Sequence, residues 1–506
     1  EPAGTSAQGL ESVDGPALHV RREPPRKLRE TTRSGPDSRG QDRAAAALRV
    51  TAPPRGTKPA ARLHNHEETM IRSVRHTKTV AVFCDAGFLA HVTRSLEVGR
   101  ALRDCFGHRV VFCCDGPYAH IASEAGFDVV PVFTVNRDTT MKLAERFGPC
   151  SLGWWKDVCD RSVTSDLEAM EAVQPDAVVG DMRWSLSTSA RVNRIPFISV
   201  TNACWTSKFA EPFELPEGHI VQKLLGRRLA SAAFPMLVRQ MQKYYALGYR
   251  EIRERRKLPP IRTIHDAIEG DITLLADLPE FMPVTADAPS SFRFTGPLLW
   301  DARVELPSWF AKLDANRPTI YFTMGSTGDA KFFEEAVRVF GNTEFQVLIT
   351  TGGIAEIANP PSNVFVAKYA PGEALMAASD VVVTHGGNGT VYQALSRGVP
   401  IIGFPSIFDQ EINMGRVGAL GLGIPMSRSK YTGPALEGAV HTLLNDSQYA
   451  ERCKLLALRI ARMDGRRRAA LHIDDFLVHG DPLQQPRADA DTLAGYPSQP
   501  ALRAAG

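Results

Sequence analysis

What this chain lacks narrows the possibilities first. None of its eight cysteines belongs to a CxxC pair, and seven of them lie before residue 210. That usage argues against a disulfide framework and against a zinc site, and it suits buried thiols in a reducing, cytoplasmic compartment. No window offers the roughly 18 uninterrupted apolar residues that a membrane span needs. Surplus charge is missing too: 59 basic against 56 acidic residues leave a net +3 over 506 positions, which points away from a nucleic-acid partner. The fingerprint GxGxxG is absent, and with it the main sign of an NAD-dependent oxidoreductase.

Residues 1–69 lack a periodic apolar pattern and are rich in Arg, Ala, Pro and Gly, with charges of both signs. Disorder is expected there. Acids at Glu11, Asp14, Glu23 and Asp37 do not fit a transit peptide, and no apolar run fits a secretory signal. The folded protein is therefore expected to start near Met70, with a disordered basic extension over 1–76 and a disordered tail over 479–506. The triplet Asp489-Ala490-Asp491 in that tail matches a metal-binding DxD by chance.

Between these ends the composition is that of a globular protein, and the length suffices for two domains. Short apolar strands alternate with amphipathic helices. The strands are TVAVFC (79–84), RVVFCC (109–114), DAVVGD (176–181), PFISVT (196–201) and, as the last of this half, DITLLAD (271–277). A mostly helical stretch covers about 218–257, and Gly/Pro punctuation over 296–316 reads as a linker. The pattern then restarts with TIYFTM (319–324), FQVLITT (345–351), NVFVAKY (363–369), DVVVT (380–384) and PIIGFP (400–405). Such alternation marks α/β architecture with parallel sheets. The expected fold has two Rossmann-like, doubly wound domains, 77–295 and 317–445, facing a central cleft. Helices over 446–478 are expected to pack back on the first domain.

Ligands of such sheets sit beyond the carboxyl ends of the strands, where helix N-termini present free N–H groups. After DVVVT, His385 is followed by Gly386, Gly387, Asn388, Gly389 and Thr390, and a helix is expected from about Thr390 to Gly398. Glycines let backbone approach a ligand closely, and the helix terminus favours an anion. By itself such a turn can equally be steric. FTMGSTG (322–328) repeats the arrangement with Gly325, Ser326 and Thr327, and PSIFDQEINM (405–414) sets Asp409 and Gln410 after the next strand. Asp409 can cap a helix, hold sugar hydroxyls, or do both. Three loops on one cleft point to a diphosphate-linked ligand.

The succession H-G-G-x-G-T, A-L-x-x-G-V-P and D-Q-x-x-N resembles the donor signature of the UDP-glycosyltransferases, glycosyltransferase family 1 with the GT-B fold. The similarity spans about 78–478 and is most specific over 319–426. It implies that Tyr369 and Ala370 lie against the nucleobase, that His385 and Thr390 bind the diphosphate, that Gln393 meets the ribose, and that Asp409 and Gln410 hold the sugar. Gln393 stands where many members have Glu, and Gly372 where many have Gln.

A catalytic His–Asp dyad is implied as well. His91 starts the helix after the first strand, and Asp181 ends another strand of the same half. Imidazole suits general-base work, although a histidine packed in a turn is the alternative. The reaction implied is inverting transfer of a hexosyl group from a nucleoside-diphosphate sugar to a hydroxyl of a hydrophobic acceptor. No cofactor or metal is expected, because helix termini can carry the phosphate charge. Phe88, Trp154, Trp184 and Trp205 are candidate acceptor walls. LAHVTRSLEV and the stretch 178–205 are similar to bacterial glycosyltransferases of phenolic-glycolipid and macrolide type. Rival readings are a UDP-sugar epimerase on the same fold and a nucleotide-sugar-binding protein without catalysis. Basic residues over 221–257, among them Arg228, Arg239 and Lys243, suit either a solvated helix face or peripheral contact with the inner face of the plasma membrane.

Overall fold

The computed structural model describes residues 77–146, 150–213, 220–325, 330–428 and 431–480. Residues 1–76, 481–506 and the candidates Ser326 and Thr327 lie outside the described residues; of the disordered tail expected over 479–506, His479 instead ends the last helix.

Among the described residues, the strands of the first half are β1 (Thr79–Cys84), β2 (Arg109–Cys113), β3 (Asp128–Val130), β4 (Ala177–Asp181), β5 (Phe197–Thr201), β6 (Ile272–Leu275) and β7 (Phe292–Phe294). Those of the second are β8 (Thr319–Thr323), β9 (Gln346–Thr350), β10 (Val364–Ala367), β11 (Val381–Thr384), β12 (Ile401–Gly403) and β13 (Gly423–Pro425). The central strands β1, β4 and β11 are Val-rich runs buried on both faces, as helices on both sides of a parallel sheet require. The orders are β3-β2-β1-β4-β5-β6-β7 and β10-β9-β8-β11-β12-β13. Connection sense reverses between β1 and β4 in one sheet and between β8 and β11 in the other, and a crevice opens at those carboxyl ends. Register puts Cys84 opposite Asp181 and Thr323 opposite Thr384.

Seven helices matter here: α1 (Leu89–Phe106), α2 (Leu152–Val173), α3 (Ile220–Arg255), α4 (Asn388–Ser396), α5 (Phe408–Ala419), α6 (Ser447–Ala461) and α7 (Gly465–His479). α1 ends at Gly107, whose left-handed φ of 75° lets its N–H turn back to the last carbonyls. α3 is interrupted at Gly226 (φ 71°, ψ 160°). α7 seats Ala469, Ala470, Ile473 and Phe476 in the core of the first sheet, and His108 Nε2 lies 3.1 Å from Asp474 Oδ1. α6 instead seats Cys453, Leu456 and Ile460 in the core around α4, touching the first half through the Arg459–Glu280 ion pair. The return of the chain over 446–478 is thus made mainly by α7.

Three short strands differ from expectation. β3, β7 and β13 have three residues each, too short for a periodic pattern to reveal them. β7 pairs with β6, so DITLLAD is not the last strand of its half. The two halves share an apolar seam in which Phe281 and Tyr392 stand 5.2 Å apart between ring centres.

Candidate active site

β1 delivers the chain to the crevice, and Phe88 in extended conformation opens α1, so His91 faces the cleft from the first helical turn. β4 brings Asp181 to the same edge, completely buried. His91 Nδ1 and Asp181 Oδ1 are 2.9 Å apart. Asp181 has a second partner that the sequence reading missed. Arg94, one helical turn beyond His91, donates from Nε to Oδ2 at 2.6 Å and from Nη2 to Oδ1 at 2.5 Å. This side-on fork is the strong geometry for a guanidinium and a carboxylate. Burial pushes the Asp181 carboxyl up, but Arg94 and then His91 outweigh it and hold it below the usual carboxylate range. The carboxylate is therefore ionised and fixed. Met182 follows at φ 53°, a strained conformation that costs a non-glycine residue on the order of 1 kcal/mol or more.

Polar contacts continue inward from Arg94. Its Nη1 donates to Asn202 Oδ1 at 2.6 Å, and Asn202 Nδ2 donates to Asp277 Oδ1 at 3.0 Å. Asp277 also accepts from Ala203 N at 2.7 Å and, across the seam, from Asn388 Nδ2 at 3.4 Å. Burial raises the Asp277 carboxyl, with these neighbours opposing the shift. A continuous polar chain, buried between its two ends, thus runs from His91 to the first residue of α4.

α4 begins at Asn388 with Gly387 as its cap, two residues earlier than Thr390. The glycines pack around one ring. An ideal Cβ on Gly387 would stand 2.5 Å from His385 Nε2, and one on Gly325 2.5 Å from Cε1. Gly325 and Gly386 also have φ of 55° and 84°. Burial alone pushes His385 down to about 4, so the ring is neutral at pH 7. Thr384 Oγ1 lies 3.2 Å from its Nδ1; when that hydroxyl donates, Nε2 keeps a proton to offer. Gly387, Gly389 and Thr390 line the cavity beside it.

Asp409 is not a cap. α5 starts at Phe408 after Ile407, which puts Asp409 and Gln410 in its first turn. Gln410 Oε1 accepts from Ser406 N at 3.0 Å, tying the loop before α5 to its first turn. Burial pushes the Asp409 carboxyl up, opposed by its own backbone N–H and by the charges of His91 and Arg94. It therefore shares the dyad's electrostatic environment. Gln393 donates to the Trp300 carbonyl, so its amide N–H is engaged by the linker. Tyr369 is largely exposed and donates to Gly352 O at 3.1 Å, while Ala370 is buried in the second core. Neither lines the cavity.

That cavity, of about 550 Å³, joins the two halves. His91, Gly325, His385, Asp409 and Gln410 line one part of it. Phe88, Trp154, Trp184 and Trp205 line the other, joined by Val238, Met241 and Tyr245 of α3. Phe88 meets His91 edge to face at 6.0 Å. Trp155, which also lines the cavity, packs edge-on to Trp184, Tyr245 and Tyr249 and donates to Tyr245 O at 2.8 Å, bracing the wall.

Residues 333–462, which carry α4 and α5, match the family described as "Erythromycin biosynthesis protein CIII-like, C-terminal domain". Over 376 residues the chain is 32% identical to a PGL/p-HBAD biosynthesis glycosyltransferase of Mycobacterium tuberculosis, covering 74% of this chain and 86% of that one. This chain belongs to glycosyltransferase family 1. The glycosyltransferase is also 31% identical over 407 residues to a PGL/p-HBAD biosynthesis rhamnosyltransferase of Mycobacterium bovis, covering 79% of this chain and 88% of the other. Its GT-B fold is that of the solved glycotransferase of kitacinnamycin, with a TM-score of 0.60 at 24% identity over 79% of this chain and 99% of that one. The spinosyn rhamnosyltransferase SpnG gives a TM-score of 0.58 at 16% identity, covering 78% and 99%.

Proposed function

We propose that the glycosyltransferase moves a hexosyl group from a UDP- or TDP-linked sugar to a hydroxyl of a lipophilic acceptor, with inversion at the anomeric carbon. The observation that carries this reading is the His91–Asp181 contact at the boundary between an aromatic cavity and a glycine-lined helix terminus.

With Nδ1 turned to Asp181, Nε2 of His91 is the atom left for an acceptor hydroxyl. It takes the proton as the acceptor oxygen bonds to the anomeric carbon, and the bond from that carbon to the phosphate oxygen breaks. Asp181 accepts from Nδ1–H and stabilises the imidazolium that forms. Arg94 keeps the carboxylate ionised and oriented. The departing diphosphate is received by the N-terminus of α4 and by His385, so the phosphate charge is met by N–H groups and no metal is required of this mechanism. Asp409 and Gln410 are the groups for the sugar hydroxyls. Gln393 is assigned to the ribose and Tyr369 with Ala370 to the base, on the family resemblance alone. The aromatic walls suit an aryl or long-chain aglycone, for which an epimerase would have no use.

A TDP-linked deoxyhexose is the donor of first choice. One relative is called a rhamnosyltransferase, and the solved structures of SsfS6 and SpnG hold thymidine diphosphate. Calorimetric titration of UDP, TDP, GDP and their sugars into wild type, His385→Ala and His91→Ala tests the reading. One nucleotide is expected to bind, with affinity lost in His385→Ala and kept in His91→Ala, whose turnover falls on the order of 10²–10⁴-fold. Unchanged turnover in His91→Ala would sink the base assignment, and equal nucleotide binding in His385→Ala would sink the cradle.

A further inference from the structure

Helix α3 has two faces with different tasks. Phe234, Val238, Met241, Tyr245 and Tyr249 recur at helical spacing and turn inward, the last four lining the cavity. Leu229 and Val238 are nine residues apart, half a turn out of phase at about 100° per residue. The face opposite the cavity carries Leu229 and Met236, 67% and 65% exposed, with Leu224 at 75% and Leu225 at 48% just before the Gly226 break. Isolated exposed leucines are ordinary, but four exposed apolar side chains between residues 224 and 236, two of them on one helix face, call for a partner.

Charge narrows that partner. Residues 218–250 contain Lys223, Arg227, Arg228, Arg239, Lys243 and Arg250 and no Asp or Glu, in a chain whose totals nearly balance. Arg228, Arg239 and Lys243 are exposed, and among the described residues none of the three has a carboxylate in ion-pair range. A protein partner with a mixed surface would leave this set unanswered, whereas a sheet of anionic headgroups over hydrocarbon matches both features at once. Among the described residues no helix is long and apolar enough to cross a membrane, so contact at this face would be peripheral.

We infer that the outer face of α3 docks the protein on an anionic lipid bilayer, with Leu224, Leu225, Leu229 and Met236 entering the headgroup boundary and Arg228, Arg239 and Lys243 holding lipid phosphates. Because the other face of the same helix walls the cavity, docking brings the acceptor subsite beside the lipid. Delivery of a bilayer-borne acceptor rests on the glycosyl-transfer reading above; the docking does not.

Co-sedimentation with phosphatidylcholine vesicles, with and without phosphatidylglycerol, tests the inference. Binding is expected only with phosphatidylglycerol and should weaken in high salt. Each cation is worth about fivefold in partitioning, so Arg239→Glu with Lys243→Glu should lower it at least about 25-fold. Leu229→Ser with Met236→Ser should lower it about tenfold or more while leaving TDP binding and transfer to a water-soluble acceptor unchanged. Equal sedimentation with both vesicle types, none with either, or wild-type partitioning by both double variants would overturn it. So would a dimer in solution that the Leu229→Ser, Met236→Ser variant dissociates, since the face would then belong to a second copy of the chain. Intact TDP binding without vesicle binding would end the docking inference and spare the enzymatic one.

Discussion

Replacing His385 by glutamine should remove a pH penalty that the wild-type fold carries. The ring is buried and pushed down to about 4, against an ordinary value of 6.5. Above pH 6.5 neither the folded nor the unfolded chain protonates it, and stability is unaffected. As pH falls below 6.5 the unfolded chain takes up a proton that the folded chain refuses until about pH 4, so stability is lost across that window. At 1.36 kcal/mol per unit the loss reaches about 2 kcal/mol at pH 5 and about 3 kcal/mol near pH 4. Glutamine keeps an N–H donor and has no titrating group. Urea unfolding of the ligand-free proteins at pH 7.5 and pH 5.0 should show wild type losing about 2 kcal/mol more than His385→Gln. His472 is also pushed down to about 4, but it is present in both proteins and cancels in the difference. Parallel loss of stability in the two would refute the buried, neutral histidine on which the cradle depends.

Gly387→Ala places a methyl group on His385 Nε2 at a backbone φ of −63° that alanine tolerates. Titration should find donor affinity reduced about tenfold or more, and because the buried ring must shift to make room the melting temperature should fall as well. Asp181→Asn leaves the Arg94 guanidinium buried beside a neutral amide and should cost about 3–5 kcal/mol of stability along with turnover. Adding Arg94→Met to Asp181→Leu should restore much of the stability in denaturant titrations and none of the transfer. If stability is not recovered in the double variant, the cost lies in packing rather than in the unpaired charge.

Much of this was legible in the sequence because it is local. β1, β4, β8 and β11 announce themselves as buried runs, and glycines mark the turn after β11. His91 and Asp181 could be paired because each ends or follows a strand of the same half and because the family resemblance implies a dyad at these positions. Arg94 was within reach of the same reasoning, being three residues from His91 and therefore on its helix face. Asn202 and Asp277 were not, since they meet only through contacts 108 and 75 residues apart in the chain. The starts of α4 and α5 were misjudged because Gly387 and Ile407, neither with a capping side chain, precede them, whereas spacing points to the polar residues Thr390 and Asp409. The two faces of α3 were hidden by their mixture: basic, aromatic and apolar residues interleave, and only burial sorts them.

The polar chain from His91 through Arg94, Asn202 and Asp277 to Asn388 bears on recombining this enzyme with its relatives. A chimera cut in the linker would take Asp277 from one parent and Asn388 with Tyr392 from the other, whose hydroxyl accepts from Leu278 N at 3.0 Å. If the new half lacks the matching amide and phenol, Asp277 keeps Asn202 and Ala203 but loses its donor across the seam, Leu278 N–H loses its acceptor, and the disturbance reaches back to the group that orients the base. Exchange of acceptor specificity by swapping halves should therefore succeed where the parents agree at these positions on either side of the cut, whatever their overall identity.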